Sequence, residues 1–121
     1  MDYKELLAYK KSFELAMEIF ELSKAFPKEE KYSLTDQIRR SSRSVAANIA
    51  ESYRKRRYTN HFISKLTDSD AENSETNTWL EFSLKCEYIS RETFDRLNMK
   101  SLEIGKLINY MINNPNKFGC N

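Results

Sequence analysis

Apolar side chains recur every three or four positions along most of the chain, which is the spacing of one face of an α-helix. Pro27 closes the first such segment, because the residue before a proline is disfavoured in helical geometry. Helices are predicted over residues 4–25, 33–57, 59–88 and 91–113. Long helices joined by short links form an up-down-up-down four-helix bundle. We therefore predict an all-α fold, with one domain over residues 1–121 and a frayed tail over 115–121.

Serine residues precede two of these helices. The run Ser33-Leu34-Thr35-Asp36 has the form of a capping box with aspartate in place of glutamate, and Ser90 precedes the fourth helix. Both serine side chains are predicted to cap their helices, because a hydroxyl oxygen can accept a hydrogen bond from a free amide of the first turn.

The first helix has two apolar stripes, and one of them must face the core. The stripe predicted to face inward consists of Tyr9, Phe13, Ala16, Met17 and Phe20. Since a surface helix needs only one buried face, apolar or small residues on second faces favour subunits that pack side by side. Scattered surface apolar residues are the alternative, and they are normal. The predicted oligomer interface consists of Leu15, Ile19, Leu22, Ala47, Ala50, Trp79 and Phe82.

The middle of the third helix is polar where a bundle core is expected. Between residues 67 and 78, Ala71 is the one aliphatic residue. Ser41 and Asn48 occupy core-facing positions of the second helix. Because buried polar groups need partners, a hydrogen-bonded layer is predicted between Ser41 or Asn48 and residues of the third helix, with a binding cavity as the alternative. The partners predicted on the third helix are Asn73 and Thr76.

Positive charge is concentrated in the second helix, although the net charge is only +2. Residues 39–57 contain seven basic and one acidic side chain, and residues 58–92 contain three basic and seven acidic ones. Clustered arginines bind phosphates, and aromatic rings stack on unpaired bases. Tyr53 and Tyr58 flank the cluster. The nucleic-acid-binding residues are predicted to be Arg40, Arg43, Arg54, Lys55, Arg56 and Arg57.

These arginines have a second interpretation, in which they pair with Glu72, with Glu75 or with a neighbouring subunit. Asp68 lies on the same helical face as these two glutamates. Such a ladder of carboxylates is usually solvated or salt-paired, and we predict no metal site there.

No catalytic residues are predicted, and the protein is expected not to be an enzyme. His61, the one histidine, has no serine or cysteine at a spacing that makes a nucleophile and base. The glycines form no phosphate-binding loop, so no cofactor is expected. Cys86 and Cys120 have no metal-binding spacing and are predicted to be reduced thiols. The chain has neither a signal sequence nor an apolar run of about 18 residues, so a cytoplasmic location without membrane contact is expected.

The segment YSLTDQIRRSSRSVAANIAESY, residues 32–53, resembles the proteins encoded within 23S ribosomal RNA intervening sequences, a four-helix-bundle family. Relatives include the accessory protein of diversity-generating retroelements, a five-membered ring linked to reverse transcriptase. The resemblance implies a homopentamer that contacts RNA or DNA and a nucleic-acid enzyme. The chain has Ala46 and Ser52 where the family usually has proline and glycine. The family's acidic pair is reduced to Glu75, with Asn77 at the other place.

Two hypotheses about function follow. In the first, the protein is a ring-forming, non-enzymatic bundle that binds RNA or DNA through the basic surface of the second helix. In the second, it is an oligomeric scaffold whose arginines pair with acidic residues across subunits. The direction taken by Arg40, Arg43 and Arg54 distinguishes them, because only side chains that face solvent are available to phosphates.

Overall fold

The protein is a four-helix bundle in the computed structural model, which describes residues 2–120. Within that part of the chain there is no strand, and short 3-10 turns lie at residues 3–5, 28–30 and 115–118. The helices are α1 (Leu7–Ser23), α2 (Leu34–Arg54), α3 (Thr59–Lys85) and α4 (Arg91–Asn113). Each helix packs on the next, and α4 packs back on α1. The predicted all-α, up-down-up-down architecture is confirmed.

The two predicted serine caps have different outcomes. Ser90 caps α4 as predicted, and its hydroxyl accepts a hydrogen bond from the Thr93 amide at 3.1 Å. The capping box predicted at Ser33 was wrong, because the Ser33 side chain makes no capping hydrogen bond to α2. The Glu30 carboxylate caps the helix instead. One Glu30 oxygen accepts from the Ser33 hydroxyl at 2.6 Å and from the Leu34 amide at 3.4 Å. The preceding link of the chain therefore supplies the cap of α2.

Glu30 also joins the two links at this end of the bundle. Its second oxygen accepts a hydrogen bond from the Tyr88 hydroxyl at 2.8 Å. The bonds from Ser33 and Tyr88 lower the pKa of the Glu30 carboxyl. The same bond to Glu30 raises the pKa of Tyr88 to about 12. The α1–α2 link is thereby tied to the turn before α4.

Helix α1 packs mainly with the face opposite to the predicted one, although Ala16 of the predicted stripe is buried. Ile19 is 0% exposed and Leu15 is buried, whereas Phe13 is 50% exposed and Met17 is 47% exposed. The assignment of Leu15 and Ile19 to an oligomer interface was therefore wrong, since both belong to the core. Ser12, buried on the inner face, has a small side chain that lets α1 approach its neighbours closely. Leu22 is half-buried and packs against the same core.

The polar layer lies inside the bundle, with partly different partners from those predicted. Thr76 donates a hydrogen bond to Ser41 at 2.9 Å, as predicted. The prediction that Asn48 joins the layer was wrong, because Asn48 is half-buried and donates to the Ser44 carbonyl of its own helix. Asn73 turns to α4, where it donates to the Ser101 carbonyl at 2.9 Å and accepts from the Ser101 hydroxyl at 3.0 Å. The layer has no water-sized cavity between Asn73, Thr76 and the facing helices.

The C-terminal segment folds back on the bundle, so the frayed tail predicted for residues 115–121 was wrong over 115–120, and Asn121 lies outside the described residues. Phe118 stacks on Phe62 with ring centres 6.4 Å apart. Cys120 is buried, and burial raises the pKa of its thiol. Gly119 has a φ of 94°, and a side chain there would meet the Arg56 guanidinium at 2.7 Å. Glycine is therefore required where this segment turns.

Candidate nucleic-acid interface

The candidate interface is the tight turn that joins α2 to α3. We define the basic turn as residues Arg54–Tyr58. Four of its side chains, those of Arg54, Lys55, Arg57 and Tyr58, are exposed. The Lys55 amide donates to the carbonyls of residues 51 and 52, and the Tyr58 amide donates to the Lys55 carbonyl at 3.1 Å. The backbone of the turn is therefore fixed although it contains neither glycine nor proline.

Arg56 points into the chain and not to solvent. Its guanidinium lies 3.5 Å from the centre of the Tyr53 ring, and its Nε donates to the Tyr53 carbonyl at 2.7 Å. Its Nη1 donates to the Phe118 carbonyl at 3.1 Å. Tyr53 is buried beneath it. Arg56 and Tyr53 were therefore wrongly placed on the predicted nucleic-acid surface, and their role is to hold the C-terminal segment against α2.

Arg40 follows the interpretation in which arginines pair with carboxylates. Its Nη1 donates to Glu72 at 2.7 Å, and its Nη2 pairs with Glu75. The hydrogen bonds to Glu72 and Glu75 raise the pKa of the Arg40 guanidinium. Trp79 donates from its indole nitrogen to the same Glu75 oxygen at 3.2 Å. Arg40 therefore bridges α2 and α3 within one chain, and its assignment to the phosphate-binding set was wrong.

Arg43 lies on a different part of the surface from the basic turn. It is exposed, and its guanidinium lies 5.5 Å from the centre of the Phe20 ring on α1. Arg39 turns to the same ring and donates to the Ser23 hydroxyl at 2.7 Å. The structure thus divides the predicted basic surface, and only Arg54, Lys55 and Arg57 lie together on the turn.

The carboxylate nearest to the basic turn is shared between two lysines. Glu51 lies 3.7 Å from Lys55 and 3.2 Å from Lys65 on α3. The Arg54 guanidinium lies 6.0 Å from the centre of the Tyr3 ring, which places the N-terminal segment beside the turn. Sequence reasoning missed Lys65 and Tyr3, because both reach the turn through tertiary packing and carry no local signal.

A separate apolar surface covers the outer sides of α1 and α2. The groove between these helices has a volume of about 320 Å³ and is bordered by Arg43. Its apolar lining includes Tyr9, Phe13, Met17, Ala46, Ala47 and Ala50. Phe82 is exposed and lines a second groove where α3 meets α4. The centre of its ring lies 5.8 Å from the ring centre of half-buried Trp79. The two grooves lie on different sides of the bundle, and each contains residues predicted for the oligomer interface.

The described part of the chain, residues 2–120, contains no cluster of three potential metal-ligating side chains. Glu72 and Glu75 are occupied by Arg40, and Asp68 faces Lys65 at 3.7 Å. Within the same residues, no helix is both long and apolar enough to cross a membrane.

Comparison with known proteins identifies a family and a related solved structure. Residues 4–110 match the family model described as 23S rRNA-intervening sequence protein. No curated protein matches the chain. The chain is similar to the crystal structure of a protein with unknown function from the S23 ribosomal protein family from Bacteroides thetaiotaomicron VPI-5482, with 36% identity and a TM-score of 0.79. The similarity covers 88% of this chain and 96% of that one.

Proposed function

Because the chain belongs to the family of 23S rRNA-intervening sequence proteins, we propose that it is a non-enzymatic protein that binds RNA through the basic turn and acts as an oligomer. The observation that carries the proposal is the exposure of Arg54, Lys55 and Arg57 within four consecutive positions. The Glu51 carboxylate lies near Lys55 and is shared with Lys65. Three cations on a rigid turn supply a surface suited to several phosphates of one strand.

The partial charges of the two helix ends at the turn oppose each other. Helix α3 begins directly after the basic turn, and its N-cap residue Tyr58 makes no side-chain hydrogen bond to the first turn. The amino end of a helix carries a partial positive charge, which favours anions. Helix α2 ends at Arg54 in the same turn, and its carboxyl end carries the opposite partial charge, so the positive field of the turn comes from the three side chains.

Loss of the three cations is expected to weaken RNA binding and its salt dependence together. The test is a salt series of fluorescence-anisotropy titrations with a structured RNA, comparing the wild type with an Arg54→Ala/Lys55→Ala/Arg57→Ala variant. Neutralising about three phosphates predicts that wild-type affinity falls about 20- to 40-fold between about 50 and 200 mM salt. The variant is expected to bind at least about tenfold more weakly at the lower salt and to show a shallower slope.

The matched control removes three exposed cations from the other end of the bundle, in a Lys24→Ala/Lys28→Ala/Lys31→Ala variant. It changes the net charge by the same amount, so it is expected to retain most of the binding. Equal weakening in both variants would mean that net charge, and not the basic turn, governs binding. The absence of wild-type binding at about 0.15 M salt would contradict the RNA-binding function.

The exposed apolar grooves support the oligomeric part of the proposal. Phe13 and Met17 are large, half-exposed and adjacent to the small residues Ala47 and Ala50. Contiguous apolar surface of this kind marks an interaction site. The second groove, around Phe82, lies on another side of the molecule, and contacts between two different faces generate rings when the rotation closes. A second copy of the chain is therefore the proposed occupant.

Phe13→Asp and Phe82→Asp are each expected to convert the oligomer into a monomer of 14.3 kDa without loss of helicity. A charge at either position would be buried in the contact, while in the monomer it remains hydrated. Sedimentation equilibrium and circular dichroism measure the two quantities. Met99→Asp, at an exposed position of α4 outside both grooves, is the control and is expected to leave the mass unchanged. A wild-type monomer at micromolar concentration would contradict this part of the proposal.

A further inference from the structure

The basic turn carries an aromatic ring as well as cations. The side chain of Tyr58 is 58% exposed. The Arg57 guanidinium lies 5.8 Å from the centre of its ring, and the His61 ring lies 5.3 Å from it at an angle of 52°. A large planar surface is thus held in solvent among the side chains that are suited to phosphates.

The position of this ring is fixed by the start of α3. The Tyr58 carbonyl accepts hydrogen bonds from the amides of His61 and Phe62, both at 3.0 Å. Phe62 is fully buried and anchors the first turn of α3 in the core. Because the backbone at Tyr58 is already ordered, a ligand that stacks on the ring orders little more than two side-chain torsions.

A ring in this setting distinguishes paired from unpaired bases. Base faces inside a duplex are covered by their neighbours, whereas the bases of single strands and loops can be splayed out onto an aromatic side chain. We propose that Tyr58 is a stacking platform for an unpaired base, so that the basic turn prefers single-stranded RNA to duplex RNA. This inference rests on the proposed RNA-binding function and adds the class of RNA that the turn selects.

Two other tyrosines in or next to α2 lack the setting of Tyr58. Tyr53 is buried beneath Arg56 and cannot receive a base. Tyr32 is exposed, but it lies at the opposite end of α2, in a groove that it shares with Lys31, Arg39, Arg40 and Arg43. Tyr58 combines an exposed ring with the three cations of the basic turn. Tyr32 provides a control of the same residue type away from the basic turn.

The test compares the binding of an unstructured RNA oligonucleotide with that of a blunt-ended duplex of two complementary strands, for the wild type, Tyr58→Ala, Tyr58→Phe and Tyr32→Ala. Stacking on an aromatic side chain predicts that Tyr58→Ala weakens single-strand binding about tenfold or more and duplex binding less than about twofold. Tyr58→Phe keeps the ring and is expected to bind as the wild type does, as is Tyr32→Ala. The salt slope is expected to be unchanged in all three variants, because no cation is removed.

A strand that carries 2-aminopurine gives a second measurement, since its fluorescence is expected to be quenched by the wild type and Tyr58→Phe but not by Tyr58→Ala. The inference is overturned if Tyr58→Ala weakens both RNAs equally or neither of them. If the Arg54/Lys55/Arg57 variant still loses RNA binding in that case, the RNA-binding function stands and only the stacking role of Tyr58 is removed. If that triple variant also binds as the wild type does, both proposals fail.

Discussion

Ile19→Ala is expected to lower the free energy of unfolding by about 2–5 kcal/mol, because the change removes three carbon atoms from a fully enclosed site and leaves a cavity. Ile19 is 0% exposed on the inner face of α1. Leu15, one turn before it on the same face, is also buried. Chemical denaturation followed by circular dichroism measures the difference between variant and wild type.

Phe13→Ala is the matched control on the opposite face of α1. It removes a larger apolar side chain, but that side chain is half-exposed, so the expected change is within about 0.5 kcal/mol for the dilute monomer. Comparable losses for Phe13→Ala and Ile19→Ala would contradict the packing of α1. The comparison therefore tests which of two apolar faces belongs to the core and which is left for a second copy.

The second large effect is expected in the polar layer, where Asn73→Ala should destabilise the protein by about 2–4 kcal/mol. Asn73 makes two hydrogen bonds to Ser101 of α4, one as donor and one as acceptor. Its removal leaves the buried Ser101 hydroxyl without its acceptor in a site from which water is excluded. Leaving a buried polar group unpaired costs more than the hydrogen bond itself contributes to stability.

Asn48→Ala is the control for Asn73→Ala, because it removes the same amide from a half-buried position. Asn48 bonds to Ser44 within α2 and to no other helix, and alanine favours the helix, so little change is expected. A double-mutant cycle with Ser101→Ala isolates the bond between the Ser101 hydroxyl and Asn73, because the Ser101 carbonyl remains in that variant. A coupling energy near zero would show that this side-chain bond does not tie α3 to α4.

Local sequence was sufficient for the four helices but not for the contacts between them. The two stripes of α1 are both apolar, and their spacing is equally helical. What decides between them is the fit of small side chains such as Ser12 against the neighbouring helices, and this is a property of the assembled core. The same limit applies to Asn73, which was predicted to turn to α2 and instead bonds to Ser101 of α4.

The same limit applies to the candidate site, where local sequence does not show which arginines are paired. Arg40 and Arg54 are indistinguishable as exposed arginines on one helix, yet Glu72 and Glu75 lie within reach of the first alone. Arg56 lies among cations in sequence, but the fold turns it to the Phe118 carbonyl. The run of basic residues predicted where positive charge lies; which of those charges face solvent depends on the partners that the other helices bring.

Detachment of the C-terminal segment from the core can be followed through the reactivity of its thiol. Cys86 is exposed and can be modified by a thiol reagent at once, whereas Cys120 is buried and reacts only in molecules whose last residues have left the core. The ratio of the labelling rate of Cys120 to that of Cys86 therefore measures how often the segment opens locally, which is distinct from global unfolding. Because the Phe118 carbonyl of that segment accepts a hydrogen bond from Arg56, each opening event also leaves Nη1 of Arg56 without this acceptor, while the Tyr53 carbonyl still holds its Nε.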